Sequence, residues 1–355
     1  MATPYHRLAR ETPAYAWWKL PLAGLLAAVA YAGLTIALVV AGAAWFALTD
    51  SGNGLDDWLD AAGDLDLEHL DFFVLDMLGL VLLIPAIFIG VAVVGPRPVG
   101  YLSSVAGRLR WRWMGLMALL SSIVFIVTIG ASLVVDELTD PTSVSGASSV
   151  DGRVVAALVA IVLIVPFQAA AEEYVFRGYL MQLFGSWSRF AAVPVILTTP
   201  LFVAGHLYGL WGLLDVGLFG LTAAVLTIRT GGLEAAIAAH AANNIVLFVL
   251  DALGMIAATD DSDAGPTDLI PTVVSGILIL VLVEWAARRS GLQRTREPIP
   301  DPPAPQAPMW PPPPYAMLWY PPAGYAPPPA AAEPPRVLHP DTPDYPGELP
   351  EGWNS

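Results

Sequence analysis

One long uncharged stretch decides the fold class of this chain: Trp113-Met-Gly-Leu-Met-Ala-Leu-Leu-Ser-Ser-Ile-Val-Phe-Ile-Val-Thr-Ile-Gly-Ala-Ser-Leu-Val-Val135. About 20 consecutive apolar residues suffice to cross the hydrocarbon core of a bilayer. Arg110 and Arg112 precede the stretch, and Asp136 and Glu137 follow it. Because cytoplasmic loops are enriched in Lys and Arg, the stretch predicts a membrane helix whose first end faces the cytoplasm.

The rest of the chain repeats this pattern. Hydrophobic residues make up 56% of the 355 residues and charged residues only 13%, whereas soluble domains carry about 25% charged residues. The mean hydropathy of +0.62 excludes an ordinary soluble globule and a disordered chain. We therefore predict an all-α, polytopic transmembrane bundle of about eight spans, at 21–48, 72–94, 113–135, 154–176, 190–208, 210–228, 233–257 and 269–287.

The charges of the connecting segments predict the orientation of these spans. The basic residues of alternate connections and of both flanks are Arg7, Arg10, Lys19, Arg97, Arg108, Arg110, Arg112, Arg189, Arg229, Arg288, Arg289, Arg294 and Arg296. The opposite connections are acidic, with Arg153 as the exception. By the positive-inside rule, the chain is a multi-pass protein of the cell membrane with both termini in the cytoplasm.

Charge and residue usage narrow the function further. The formal net charge is −15, from 31 acidic and 16 basic residues, which argues against nucleic-acid binding because that needs a basic face. The absence of Cys excludes disulfides, thiolate zinc sites and Cys nucleophiles. Chemistry that depends on histidine must use one of five residues, which are His6, His69, His206, His240 and His339.

We divide the chain into five parts by composition. These are a cytoplasmic segment (1–20), three transmembrane helices with their loops (21–150), a helical core that the motifs below mark as catalytic (151–257), a last helix with a basic exit (258–296) and a disordered cytoplasmic tail (297–355). The tail holds 21 of the 33 prolines, so it cannot build a core and should sample polyproline II. It is either a docking segment for SH3- or WW-like partners or a solvated tail without a target.

The fourth predicted span ends in an unusual charged motif, Ala-Ala-Ala-Glu172-Glu173-Tyr-Val-Phe-Arg177-Gly. Charged side chains inside a bilayer are costly, and they therefore indicate function. Glu173 and Arg177 stand at i and i+4, so they can pair on one face of the helix. Glu172 points elsewhere and is available as a base.

Two later spans each carry one histidine. His206 follows Phe202-Val-Ala-Gly, and His240 is followed four residues later by Asn244. Taken alone, His206 can be a packing residue, and His240 with Asn244 can be polar contacts between helices. Because these histidines and the Glu-Glu pair lie on three separate helices, we expect them to converge.

The set favours hydrolysis of a peptide bond within the membrane. Glu172 and His206 can activate a water as general base, and His240 and Asn244 can stabilise the tetrahedral oxyanion. Glu173 and Arg177 would hold the geometry of the helix. We favour a reaction without metal or other cofactor. The alternative is zinc bound by Glu172, Glu173, His206 and His240.

These motifs resemble one known family. Glu172-Glu173-x-x-x-Arg177, Phe202-x-x-x-His206 and His240-x-x-x-Asn244, in this order, are similar to the motifs of the CPBP intramembrane proteases, also called the abortive-infection family. That family includes CAAX prenyl protease 2 and lysostaphin resistance protein A-like proteins. The resemblance covers about residues 150–250. It implies an eight-helix endopeptidase in which the residues matching Glu172 and His206 activate water and those matching His240 and Asn244 form the oxyanion site. Its substrate would be a peptide or a membrane protein.

Two other functions compete with a protease. A proton-coupled transporter would use Glu172, His206 and Asp251 as a relay, but it needs a polar path across both halves of the membrane, and the polar residues here cluster. A non-catalytic scaffold would recruit partners through the proline-rich tail.

One geometric conflict also arises, because a helix starting at residue 190 would place His206 about 24 Å deep and His240 only about 12 Å deep.

Overall fold

The computed structural model describes residues 2–12, 15–49, 70–95, 98–139, 149–256 and 264–297. Its α-helices are α1 (Lys19–Thr49), α2 (Leu70–Val81), α3 (Leu83–Val93), α4 (Trp111–Thr139), α5 (Gly152–Glu173), α6 (Met181–Trp187), α7 (Ala192–Val203), α8 (Leu210–Thr230), α9 (Glu234–Ala252) and α10 (Leu269–Arg289). A π-helix, Tyr174–Leu180, joins α5 to α6, and the two short strands are β1 (Thr3–Pro4) and β2 (Thr295–Arg296). The proline-rich tail beyond residue 297 lies outside the described residues, and the predicted domain boundaries stay predictions.

The predicted fold class is confirmed. Within the described ranges, seven helical stretches are long and apolar enough to cross a membrane, at Lys19–Trp45, Leu70–Val93, Trp111–Thr139, Gly152–Trp187, Leu210–Thr230, Glu234–Ala252 and Pro266–Arg289. Large apolar side chains on their outer faces are exposed, such as Leu25, Val29 and Ile126. A bundle with apolar side chains on its outside is suited to a lipid environment.

The predicted span at 190–208 differs from this pattern. Its helix, α7, covers only Ala192–Val203 and contains Pro200. After Val203 the backbone makes two tight turns, in which the N–H of Gly205 donates to Phe202 O and that of His206 to Val203 O. Proline removes a helical donor and clashes with the preceding turn, and glycine favours a stop. The last third of this segment is therefore non-helical, and His206 lies beyond the end of the helix rather than deep within it.

The two described ends of the chain lie at the same end of the bundle. β1 pairs antiparallel with β2, with Thr3 opposite Arg296 and Pro4 opposite Thr295. The side of the membrane on which this end lies stays a prediction.

The helix α9 occupies the centre of the bundle, in contact with α4, α5 and α8. One reason is its run of small side chains: Ala235, Ala236, Ala238, Ala239 and Ala242 are all buried. Small residues allow helix backbones to approach closely in membrane proteins. Polar side chains on α9 are thereby held inside the bundle rather than against lipid.

A buried ion pair fixes the start of α9. The Nε and Nη2 of Arg110 donate to the two carboxylate oxygens of Glu234, each at 2.7 Å. Arg110 also donates to the carbonyl oxygens of Thr230 and Gln293, and the Glu234 side chain is fully buried. Because His240 follows Glu234 by six residues, or about 9 Å of helix, this pair sets its height in the bundle.

Candidate active site

The charged motif of the fourth span lies where α5 passes into the π-helix. Glu173, the last residue of α5, is completely buried, and its Oε1 lies 2.9 Å from Nη1 of Arg177. Arg177 also donates through Nη2 to the carbonyl oxygen of Gly220 at 2.9 Å. Its guanidinium carbon lies 4.1 Å from the centre of the Phe202 ring, which is a cation–π contact. Arg177 therefore connects the π-helix to α7 and α8.

His240 joins the two carboxylates. Its Nδ1 lies 2.9 Å from Glu173 Oε1, and its Nε2 lies 3.8 Å from Glu172 Oε2. The Phe219 and Phe202 rings flank the imidazole, with centroids at 5.0 and 6.0 Å. The Nδ1 hydrogen bond to Glu173 fixes the ring orientation, so Nε2 is directed toward Glu172.

Asn244 reaches the same site through a residue that the sequence analysis missed. Its Nδ2 donates to Gln168 Oε1 at 3.1 Å, and Gln168 Nε2 donates to Glu172 Oε1. Gln168 is buried and lies one turn before Glu172 on α5. Its spacing of i−4 to Glu172, within an otherwise apolar stretch, is a signal that could have found it.

His206 lies beside this cluster rather than in it. Its Nδ1 lies 2.9 Å from the carbonyl oxygen of Phe202, and its ring centroid lies 4.9 Å from that of Phe202. The Phe202 ring therefore touches both His206 and His240. His206 and His240 therefore lie close together, and the difference in their depth that a full helix at 190–208 would impose does not arise. Donation from Nδ1 leaves Nε2 of a neutral His206 with its lone pair.

The electrostatics of the cluster can be counted from its members. Glu172, Glu173 and Arg177 are buried, and together they carry one excess negative charge when all three are ionised. Buried charges are costly unless they are paired, and the His240 imidazole lies within 3.8 Å of both carboxylates. Glu172 Oε2 is buried and accepts no hydrogen bond from the residues described. The arrangement thus combines a carboxylate oxygen without a hydrogen-bond donor with the nearby side chains of His240, Gln168 and Asn244.

The zinc alternative, with Glu172, Glu173, His206 and His240 as ligands, stays a prediction. Within the described ranges, no three His, Asp or Glu side chains are grouped so that they could hold a metal ion. Glu173 Oε1 is already engaged by both Arg177 and His240. In this arrangement His240 Nδ1 is hydrogen-bonded to Glu173, and a metal bound at Glu173 Oε1 would break two buried contacts.

Comparison with known proteins agrees with the motif resemblance. Residues 154–246 match the family model described as type II CAAX prenyl endopeptidase Rce1-like, and this range contains every predicted site residue. The uncharacterized protein YyaK of Bacillus subtilis (strain 168) is 28% identical over 201 residues, which is 53% of this chain. The aligned part spans 61% of the length of that relative. No solved structure shows significant similarity. The resemblance to this family is therefore confirmed, and at the family level it supports a CAAX-type intramembrane protease.

Proposed function

We propose that this protein is an intramembrane endopeptidase that hydrolyses a peptide bond with a water activated by Glu172. The observation that carries the proposal is the convergence of Glu172 on α5 with His240 and Asn244 on α9 inside an apolar bundle. The Glu172 carboxylate is buried, and a carboxylate buried within a membrane bundle is costly and therefore indicates function. The family match over 154–246 supports the same reaction class.

The base in this reaction is the Glu172 carboxylate. Its Oε1 is held by Gln168, while Oε2 faces Nε2 of His240 across 3.8 Å. A water beside Oε2 can give its proton to this oxygen as the water oxygen attacks the carbonyl carbon of the scissile bond. The same proton then passes from Glu172 to the leaving nitrogen. His206, whose Nε2 keeps its lone pair when Nδ1 donates to Phe202 O, takes part with Glu172 in activating this water.

His240 and Asn244 stabilise the negative charge that forms on the carbonyl oxygen. With Nδ1 donating to Glu173, a protonated His240 offers its Nε2 hydrogen toward the reacting atoms. Asn244 uses one Nδ2 hydrogen for Gln168 and offers the other. Two fixed donors in a water-poor site favour the oxyanion over the starting carbonyl.

Glu173 and Arg177 are positioning residues in this scheme. They touch no reacting atom, but Glu173 fixes the His240 ring and Arg177 holds Glu173 in place. The reaction needs neither zinc nor another cofactor, because Glu172 supplies the base and His240 with Asn244 supplies the electrophilic donors. The substrates are peptides or membrane proteins that reach the site from the bilayer.

The test uses purified full-length protein in proteoliposomes. The two substrates are an internally quenched farnesylated peptide with a CAAX end and an unprenylated apolar transmembrane peptide, with cleavage sites read by mass spectrometry. His240→Ala and Asn244→Ala should each lower kcat about 100-fold, the cost of losing an oxyanion donor. Glu284→Gln, which alters an ion pair at an exposed helix end, is the matched control and should keep normal kcat. Normal turnover in both site variants would contradict the proposed oxyanion site.

A further inference from the structure

A hydrogen-bonded chain of amides links α9 to the Glu172 carboxylate. Asn243 Nδ2 donates to Asn244 Oδ1 at 3.2 Å, Asn244 Nδ2 donates to Gln168 Oε1 at 3.1 Å, and Gln168 Nε2 donates to Glu172 Oε1. Gln168 stands in the middle of this chain, and only 4% of it is exposed. Its side chain is hydrogen-bonded both to the proposed base, Glu172, and to a proposed oxyanion donor, Asn244.

The direction of the chain follows from the chemistry of its last member. An ionised carboxylate can only accept hydrogen bonds, so Gln168 must turn its NH₂ group toward Glu172. Its carbonyl oxygen then faces Asn244 and can only accept, so Asn244 must present its own NH₂ group. The Oδ1 of Asn244 is turned away, toward Asn243. The ionised base thereby determines which end of the Asn244 amide faces the site.

We infer that Gln168 is a positioning residue that couples the ionised state of Glu172 to the orientation of the Asn244 oxyanion donor. This inference rests on the proposed function. Gln168 is the partner on α5 that accepts a hydrogen bond from Asn244 and so fixes which end of the Asn244 amide faces α5. Without Gln168, this contact no longer sets the orientation of the amide. If the Asn244 amide rotated, its carbonyl oxygen would point at the developing oxyanion. That oxygen would repel the oxyanion instead of stabilising it.

The variant Gln168→Met tests this coupling, because Met has nearly the same length and shape but neither donates nor accepts strongly. Gln182→Met is the matched control. Gln182 lies on α6, is also buried and donates to Tyr101 O at 2.7 Å, so its replacement also breaks buried hydrogen bonding. Gln168→Met breaks two hydrogen bonds, to Glu172 and from Asn244. Both variants should lose thermal stability, whereas only Gln168→Met should change the site.

The kinetic expectation is a separation of kcat from KM. Gln168→Met should lower kcat about 10- to 100-fold, as expected for a misplaced catalytic donor, with KM unchanged because Gln168 touches no substrate. Combined with Asn244→Ala, it should add little further loss, since the two residues act through one interaction. The effects of Gln182→Met and Asn244→Ala on kcat should multiply, because these two residues act independently. A kcat for Gln168→Met within about twofold of the unaltered protein would overturn the inference.

A second measurement does not depend on a substrate. The chain has only four Asn residues, so selective ¹⁵N-Asn labelling in micelles gives four side-chain NH₂ pairs, and Asn244→Ala identifies one of them. Gln168→Met should shift the Asn244 pair and leave it unprotected from solvent exchange, whereas Gln182→Met should not. An unchanged Asn244 pair in Gln168→Met would overturn the inference. Failure of the proposed function would give a different result. Glu172→Gln would then show normal turnover, while Gln168→Met would still shift the Asn244 pair.

Discussion

The Glu173–Arg177 pair gives the sharpest stability prediction. Glu173→Gln keeps the shape of the side chain but removes the counter-charge of Arg177, whose side chain is 1% exposed. Breaking a buried pair by removing one partner costs about 3–5 kcal/mol, because the remaining charge stays buried without compensation. The direct contacts that remain to Arg177, Gly220 O and the Phe202 ring, are neutral groups, and the charge of Glu172 acts on Arg177 without a direct ion pair. We therefore expect a loss in this range in the free energy of unfolding.

The matched control is the same substitution at Glu284. Glu284 pairs with Arg229, Arg288 and Arg294, and the side chains of Arg229 and Arg288 are 53% and 73% exposed. Exposed pairs contribute about 0–1 kcal/mol each, or at most about 3 kcal/mol for three, so Glu284→Gln should cost less than Glu173→Gln. The assay is unfolding by SDS from mixed micelles, followed by circular dichroism. Equal losses for the two variants would refute the account of the buried pair.

Three further predictions follow from other parts of the structure. In the same unfolding assay, Arg110→Ala should lower the free energy of unfolding by about 3–5 kcal/mol, because it leaves the buried Glu234 carboxylate without its partner. Arg110→Lys should restore only part of this loss, because lysine cannot donate to both carboxylate oxygens in the bidentate geometry of arginine. Burial, together with the charge of Arg7, lowers the pKa of His6 from its usual 6.5. The folded protein then binds fewer protons than the unfolded chain below about pH 6.5, so the thermal midpoint should fall as the pH decreases through that value, and His6→Gln should remove that part of the decrease. EDTA or phenanthroline should leave peptide cleavage nearly unchanged, and metal analysis of the purified protein should find less than one zinc per chain; stoichiometric zinc that leaves together with activity would contradict the metal-free reaction.

Local sequence patterns predicted the long helices and the contacts within them. A run of 20 apolar residues is a strong signal because the bilayer requires it. The Glu173–Arg177 ion pair follows from a spacing of four residues on one helix. The order of the three motifs also indicated the family resemblance that the comparison confirms. These motifs combine residue types and spacings that helix packing alone does not require.

Contacts between helices were beyond what the sequence could indicate. The Glu173–His240 hydrogen bond and the Gln168–Asn244 contact depend on how α5 and α9 are rotated against each other. The full span expected at 190–208 failed because hydropathy does not register the effect of Pro200 and Gly205 on the backbone. The π-helix after Glu173 has no clear local signal, although such irregular turns are frequent at functional sites.

The most direct test of the account is the cleavage rate of Glu172→Gln relative to the unaltered protein, measured on the same proteoliposomes and substrates. Gln keeps the shape of Glu172 but cannot accept a proton from water, so the account predicts a decrease in kcat of at least about 100- to 10,000-fold. The helical content and the insertion of the variant should remain normal. Turnover close to that of the unaltered protein would show that Glu172 is not the base and would contradict the central claim.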